Sequence, residues 1–173
     1  MRHVFATMGT IASLSADRDV DVAQIERIFE RFDERFSLYR EDSELSMIAG
    51  DRMRLEDATP ELLAAYAEAL EWRAVTGGAF SPHRPDGVID LNGIVKASAM
   101  RDAARVLDET GATWSLVVGG DIVHSEPGEQ AAPVGIVDPA DRSALLCAVV
   151  PPPGRRAIAT SGSAERGDHI WLG

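Results

Sequence analysis

The residues of this sequence that could do chemistry lie in short segments of small and polar residues, first among them residues 159–169. This segment reads ATSGSAERGDH, with hydroxyl residues around Gly162 and His169 at its end. Small residues let a ligand approach the backbone closely, and successive backbone N–H groups can form an anion-binding nest. The segment, which contains Thr160, Ser161 and Gly162, is therefore either a ligand loop or a polar hairpin.

A second segment, VVGGDI (residues 117–122), lies between two predicted strands. Ligand-binding groups usually lie at such element ends. Gly119, Gly120 and Asp121 could therefore border a ligand. The alternative is a tight turn in which glycine supplies positive φ angles and Asp121 hydrogen-bonds to the turn backbone.

The segment DLNGIVK (residues 90–96) places a carboxylate, an amide and a glycine just before a predicted helix. Free N–H groups at a helix start attract anions, and Lys96 adds a positive charge. Asp90, Asn92 and Gly93 are therefore candidates together with Lys96. The alternative is an ordinary Asn or Asp cap beside a solvent-exposed lysine.

Two earlier positions carry a weaker signal. TMGT (residues 7–10) contains Met8 and is also typical of a plain hairpin turn. Tyr39, in FSLYR, could present its ring to a ligand, although it is more typical of a half-buried core aromatic. The sequence has no Walker loop, GxGxxG after a strand, HExxH, GxSxG or paired CxxC, and its four histidines are too scattered to predict a metal site.

The hydrophobic pattern predicts helices early in the chain and strands late. Apolar residues at three- and four-residue intervals predict a helix over residues 20–38, and a second helix begins with Thr59 as N-cap and Pro60. The buried side of that second helix is expected to comprise Leu62, Leu63, Tyr66, Leu70 and either Trp72 or Val75.

The third predicted helix spans residues 96–109 and is stopped by Gly111. Strands are expected over residues 3–7, 10–15, 114–118, 122–124, 134–137, 145–149 and 157–160. Because no repeat, linker or low-complexity tract interrupts the pattern, we expect one domain over residues 1–173 with an α+β fold and a largely antiparallel sheet.

Composition and charge exclude several classes of partner. The formal net charge is −11, and no basic patch or stripe predicts binding to nucleic acid or to an anionic lipid surface. A small anionic ligand stays possible, because local donors govern a site. The single cysteine, Cys147, lies in an apolar run and is expected to be a buried structural thiol. With no predicted signal peptide or membrane span, we expect a cytoplasmic protein.

Taken together and in order, these segments resemble the ApbE family, the FAD:protein FMN transferases. Seven segments carry the resemblance: MGT (8–10), FSLYREDSELSMI (36–48), GGAFSP (77–82), IDLNGIVK (89–96), LVVGGDI (116–122), VGIVDP (134–139) and AIATSGSAER followed by HI (157–170). They extend over nearly the whole chain, and each alone is a weak signal.

The resemblance implies a T-fold-like α+β fold whose cleft holds FAD, and Mg²⁺-dependent transfer of FMN to Thr or Ser of an acceptor flavoprotein with release of AMP. It implies catalytic roles for Lys96 and for His169, beside the scissile phosphate, and a backbone carbonyl of Gly93 as a ligand of Mg²⁺. By position, the FAD-binding residues are Met8, Tyr39, Asp90, Asn92, Gly119, Gly120, Asp121, Thr160, Ser161 and Gly162.

The sequence also departs from the family pattern. Only HRPDGV separates Pro82 from Ile89, where the family has a long segment, and Ala97 stands where the family has glycine after the lysine. The family's C-terminal segment, with the Asp and the Thr or Ser that complete the Mg²⁺ site, is not found in this sequence. Three functions therefore stay open: a flavin transferase, a flavin- or FAD-binding module without transfer, and a scaffold that holds no flavin.

Overall fold

In a computed structural model, the described part of the chain forms a five-stranded antiparallel sheet, a separate β-hairpin and four α-helices. The structure describes residues 1–125, 133–138, 140–141 and 143–161. The strands are β1 (Arg2–Thr7), β2 (Thr10–Ala16), β3 (Trp114–Val118), β4 (Asp121–His124), β5 (Val134–Val137), β6 (Leu145–Val149) and β7 (Ala157–Ile158). The helices are α1 (Val22–Phe36), α2 (Glu44–Ala49), α3 (Pro60–Val75) and α4 (Asn92–Glu109). The predicted α+β fold is confirmed.

The main sheet has the strand order β1-β2-β3-β4-β7, and every neighbouring pair is antiparallel. Along the central strand β3, buried residues alternate with half-buried ones, because successive side chains of a strand point to opposite faces. One face of the sheet is therefore covered, and Leu14 and Leu116 lie opposite each other there with no exposed surface.

Helix α1 packs through the predicted apolar stripe. The Asp21 side chain caps the helix by accepting a hydrogen bond from the Gln24 N–H at 3.0 Å. Ile25, Ile28 and Phe29 are buried in the main core together with residues of the sheet and of α4. The 3.6-residue period therefore placed the buried face of α1 correctly.

Helix α3 begins as predicted, with Pro60 as its first residue and the Thr59 hydroxyl accepting from the Leu62 N–H at 3.4 Å. Its buried side was predicted only in part. Leu62 is fully buried and Tyr66 half-buried, whereas Leu63, Leu70, Trp72 and Val75 are exposed. The helix carries apolar residues on all of its sides, so the periodicity of its sequence does not define one buried face. Only the side that faces the second core is covered.

Helix α4 begins at Asn92, four residues earlier than predicted. The Asp90 carboxylate accepts a hydrogen bond from the Asn92 N–H at 2.9 Å, and the Leu91 carbonyl accepts from the N–H groups of Ile94 and Val95 at 3.0 Å each. These bonds start the helix a full turn before the lysine. The segment expected to precede α4 therefore forms its first turns.

Two hydrophobic cores are present. The first joins the sheet to α1 and α4, and the second gathers Phe36, Leu45, Leu62 and Leu91 around the start of α4. Met8 packs against both cores, as does Phe32. The turn between β1 and β2 therefore lies where the two cores meet.

Strands β5 and β6 pair only with each other in the described part of the chain, outside the main sheet. Leu145, Leu146 and Val150 are exposed on this hairpin. Cys147 is exposed as well, so the prediction of a buried thiol is wrong. The apolar run indicated burial, but among the described residues this two-stranded ribbon packs on no second layer, which leaves both its faces open.

The remaining predicted strands are observed, although β7 covers only two of the four residues expected over 157–160. In the part of the chain that the structure describes, no helix combines the length and apolar character that a bilayer crossing requires.

Candidate functional site

Three chain turns meet at one end of the main sheet. The Met8–Gly9 turn joins β1 to β2, and the Gly119–Gly120 turn joins β3 to β4, next to the start of β2, where the Gly119 N–H donates to the Ile11 carbonyl at 3.2 Å. Strand β7 runs antiparallel to β4 and leads directly to Thr160 at the same end. The sheet topology therefore brings together segments more than a hundred residues apart.

Helix α4 adds Lys96 to this end of the sheet. The helix ends at Glu109, shortly before β3 begins at the opposite end of the sheet, and β3 then runs toward the Gly119–Gly120 turn. The N-terminal half of α4 must therefore lie at the turn end.

The Gly119–Gly120 turn needs glycine for its backbone conformation. The φ angles are +54° at Gly119 and +94° at Gly120, in the left-handed region that other L-residues rarely adopt. The Gly120 carbonyl accepts a hydrogen bond from the Thr160 hydroxyl at 2.8 Å. A Cβ on Gly120 would lie 3.5 Å from the Thr160 Cβ, an ordinary contact, so the φ angle and not space excludes other residues.

Asp121 joins two of the segments through its carboxylate. One oxygen accepts a hydrogen bond from the Thr160 N–H at 2.8 Å, and the other lies 2.6 Å from the Lys96 ammonium. The Lys96 side chain is 20% exposed and that of Asp121 15%, so water screens this ion pair only partly. The predicted turn is therefore present, but Asp121 bonds mainly to other segments.

The segment DLNGIVK shows features of both interpretations, the anion site at a helix start and the ordinary helix cap. The Asp90 carboxylate accepts a hydrogen bond from the first N–H of α4, close to the plain alternative, although the N-cap residue itself is Leu91. Lys96 is not the solvent-exposed lysine of that alternative, because it is mostly buried against Asp121. Asn92 is exposed at the first position of α4.

Gly93 lies in the first turn of α4 against the ring of Phe80. A Cβ at this position would lie 2.7 Å from the Phe80 Cε2 atom, closer than side chains pack. Glycine is therefore explained here by the close approach of an aromatic ring. The role of the Gly93 carbonyl as a metal ligand stays a prediction.

Tyr39 lies on the loop between α1 and α2, and its side chain is 90% exposed. The interpretation of Tyr39 as a half-buried core aromatic is therefore wrong. Within the described residues, its only hydrogen bond runs from the Tyr39 N–H to the Ser37 hydroxyl at 3.2 Å. The ring is open to a ligand, while its stacking on FAD stays a prediction.

The remaining predicted site residues are placed only in part. Ser161 is exposed, beside Thr160 at the end of the described chain. Gly162 and His169 lie outside the described residues. Met8 has a positive φ of +46° and packs into the cores next to the Gly119–Gly120 end of the sheet.

The described residues contain no group of three or more His, Cys, Asp or Glu side chains that could hold a metal ion. Mg²⁺ favours near-octahedral coordination by oxygen atoms, which one peptide carbonyl cannot supply. The described part of the site therefore does not form a complete Mg²⁺ centre.

The pairing of Lys96 with Asp121 was not predicted from the sequence. One signal could have found it: Lys96 is the only lysine in the chain, while sixteen positions hold arginine. The ammonium is a compact point charge on a flexible stem, and a guanidinium is a wider planar group. A lysine at this one position indicates a narrow site for a cation.

Outside this cluster, His124 on β4 has an Nε2 atom that is buried without a hydrogen-bond partner in the described structure. Burial lowers the pKa of its imidazole, because desolvation disfavours the charged form.

Comparison with known proteins agrees with this architecture. The model of the ApbE family matches residues 8–86 and 83–168, which together are nearly the whole chain. No curated protein matches the sequence.

Three solved structures share the fold. The ApbE protein of Thermotoga maritima superposes with a TM-score of 0.78 at 19% identity, over 96% of this chain and 71% of that one. The flavin transferase ApbE from Vibrio cholerae superposes with a TM-score of 0.71 at 20% identity, over 99% of this chain and 74% of that one. The apo form of the Pseudomonas stutzeri flavinyl transferase ApbE superposes with a TM-score of 0.64 at 16% identity, over 79% of this chain and 64% of that one.

At these identities the solved structures establish the fold, and the family model establishes the relationship. The resemblance inferred from the seven segments is confirmed. The chain belongs to the ApbE family.

Proposed function

We propose that this chain is an FAD:protein FMN transferase, which moves FMN from FAD to a Thr or Ser of an acceptor flavoprotein and releases AMP. Membership of the ApbE family supports this, as do the solved relatives described as flavin transferases. The observation that carries the proposal is the cluster of Lys96, Asp121 and Thr160 at the Gly119–Gly120 turn. A cytoplasmic location remains part of this proposal.

In this proposal the diphosphate of FAD lies against the cluster. Phosphoryl transfer depends mostly on positioning and on stabilising charge, so a cation and backbone N–H donors are the groups it needs. Lys96 supplies the cation, and the Gly119–Gly120 turn lets the backbone approach the ligand. Met8, Asp90, Asn92, Ser161 and Gly162 border the bound dinucleotide, and the exposed Tyr39 ring stacks on one of its aromatic rings.

The proposed reaction replaces one phosphorus–oxygen bond by another. The acceptor hydroxyl oxygen attacks the phosphorus of the FMN half while the bond from that phosphorus to the bridging oxygen breaks. AMP leaves with the bridging oxygen and its electron pair, and the hydroxyl proton passes to a base. We assign the base to His169, since an imidazole has a suitable pKa near neutral pH.

Mg²⁺ belongs to the proposal only as an expectation from the family. The carbonyl of Gly93 is the candidate ligand within the described residues, which do not complete a metal centre. No step of the reaction is therefore assigned to the metal here.

The test is AMP release from FAD by the purified chain with an acceptor peptide, with and without Mg²⁺, followed by the intact mass of the peptide. An FMN adduct in amounts equal to the AMP supports the transferase. K96A should weaken FAD binding by about 1.5–3 kcal/mol, the usual contribution of a charged hydrogen bond. AMP without an adduct would indicate hydrolysis of FAD instead.

The second candidate is an FAD-binding module that has lost transfer. The departures of the sequence from the family pattern, among them Ala97 where the family has glycine after the lysine, favour it. Saturable FAD binding without AMP release, in the presence of Mg²⁺, would support this candidate. A purified protein that binds no flavin would contradict both candidates, and the scaffold without flavin would be the remaining function.

A further inference from the structure

Asp121 is poorly suited to contact a diphosphate. Its carboxylate is negative, and both of its oxygens already have partners in the Thr160 N–H and the Lys96 ammonium. A second anion placed directly against this carboxylate would be repelled. The chemistry of the site therefore argues against Asp121 as a ligand contact.

Lys96 has the opposite properties. Its ammonium carries three N–H donors, and the ion pair with Asp121 at 2.6 Å uses one of them. The side chain is 20% exposed, so the remaining donors have a route to a ligand. Because an anchored ammonium loses less freedom when it binds an anion, an Asp121 contact would prepare it for that task.

We propose that Asp121 is a positioning residue that fixes the Lys96 ammonium and the backbone at Thr160 in one arrangement for the diphosphate of a dinucleotide. One carboxylate oxygen holds the cation, and the other holds the first N–H of the segment that continues to Ser161. The inference rests on the proposed function. It adds that Asp121 holds the Lys96 ammonium in place before the ligand binds.

A matched control exists at the other end of α4. Asp108 pairs with Arg156, whose guanidinium lies 2.8 Å and 3.0 Å from the two carboxylate oxygens. This pair also joins α4 to the chain next to β7, but it lies away from the Gly119–Gly120 turn. D108N therefore removes a comparable ion pair without touching the proposed site.

The first experiment uses the single lysine as a probe. In protein labelled with [¹⁵N]lysine, the only side-chain ammonium resonance belongs to Lys96. We expect this resonance to be visible at neutral pH and low temperature, because the ion pair slows proton exchange with water. It should disappear in D121N, persist in D108N and shift on addition of ADP. Absence from the wild-type spectrum, or equal visibility in D121N, would overturn the proposal.

The second experiment is a double-mutant cycle on ADP affinity and on the rate of AMP release from FAD. D121N keeps one oxygen for the Thr160 N–H and replaces the oxygen that holds Lys96 with an amide NH2, which removes both the charge and the acceptor facing the ammonium. We expect D121N to lower both quantities about 10- to 100-fold, the equivalent of one charged hydrogen bond, and D108N to change them less than about twofold.

The cycle separates a positioning role from a merely structural one. In the K96M background, D121N should cause no further loss of either quantity, because Asp121 then has no ammonium to hold. If D121N lowered ADP affinity or the rate of AMP release in that background as much as it does in the wild type, the proposal would be contradicted. Tighter binding of ADP by D121N would contradict it too, since it would make Asp121 a competing counter-ion.

Failure of the proposed function would be distinguishable from failure of this inference. A wild-type chain that releases no AMP would remove the transferase, while the ammonium resonance and the ADP affinities would still decide the role of Asp121. If D121N does not fold, the wild-type resonance and its response to ADP remain the deciding measurement: no resonance, or no shift, overturns the inference.

Discussion

Substitution of Gly93 by alanine should have opposite effects on stability in two backgrounds. In the wild type, the new Cβ would lie 2.7 Å from the Phe80 Cε2 atom, so the ring must move within the second core. Overpacking of this kind costs about 1–3 kcal/mol. Alanine also favours a helix over glycine by up to about 1 kcal/mol. The difference predicts a net loss of about 0–3 kcal/mol for G93A.

Removal of the ring reverses the expected sign. In an F80A background the added methyl group meets no aromatic atom, and only the helix preference remains. G93A should then stabilise the protein by up to about 1 kcal/mol relative to F80A. The coupling free energy between the two positions is therefore expected at about 1–3 kcal/mol.

Urea unfolding of the wild type, both single variants and the double variant measures this coupling, with equal m-values as the check on two-state behaviour. Stabilisation by G93A in the wild type, or a coupling below about 0.5 kcal/mol, would refute the close approach of Phe80 as the reason for glycine.

Three further results are expected. G120A should lower the free energy of unfolding by about 1–2 kcal/mol because of the φ of +94°, and an unchanged thermal midpoint would contradict this. Y39A should leave stability within about 0.5 kcal/mol, since the ring is 90% exposed, but weaken FAD binding by about 0.5–1.5 kcal/mol in a fluorescence titration. Burial in the folded state lowers the pKa of His124 below its ordinary value of 6.5 and so favours the neutral imidazole. Stability should therefore fall as pH drops below 6.5, and H124Q should show a smaller fall in acid-induced unfolding.

Local sequence signals predicted the elements well where one face of an element is buried. The stripe of α1 points to a single covered side, as confirmed, and the predicted strand β3 is observed with burial that alternates along it. The same signals were misleading where apolar residues occur on every side. Leu63 and Leu70 on α3, and Cys147 on β6, are apolar in sequence yet exposed, because no second layer covers them in the described structure.

The sequence by itself also identified the family and nominated the residues that meet at the Gly119–Gly120 turn. It could do so because glycine turns, a helix start and hydroxyl segments are local features with local physical causes. The start of α4 shows the limit of such signals: a side-chain bond from Asp90 moved it one turn earlier than periodicity indicated.

Only the tertiary structure decided which nominated residues act together. The antiparallel register sets Thr160 beside Gly120, and the return of α4 sets Lys96 beside Asp121, although these partners are 40 and 25 residues apart in sequence. Ion pairs and hydrogen bonds act over a few ångströms, and such distances between remote segments depend on how the sheet and helices pack. Composition and motifs therefore determined what the chain is related to, and packing determined where its one lysine points.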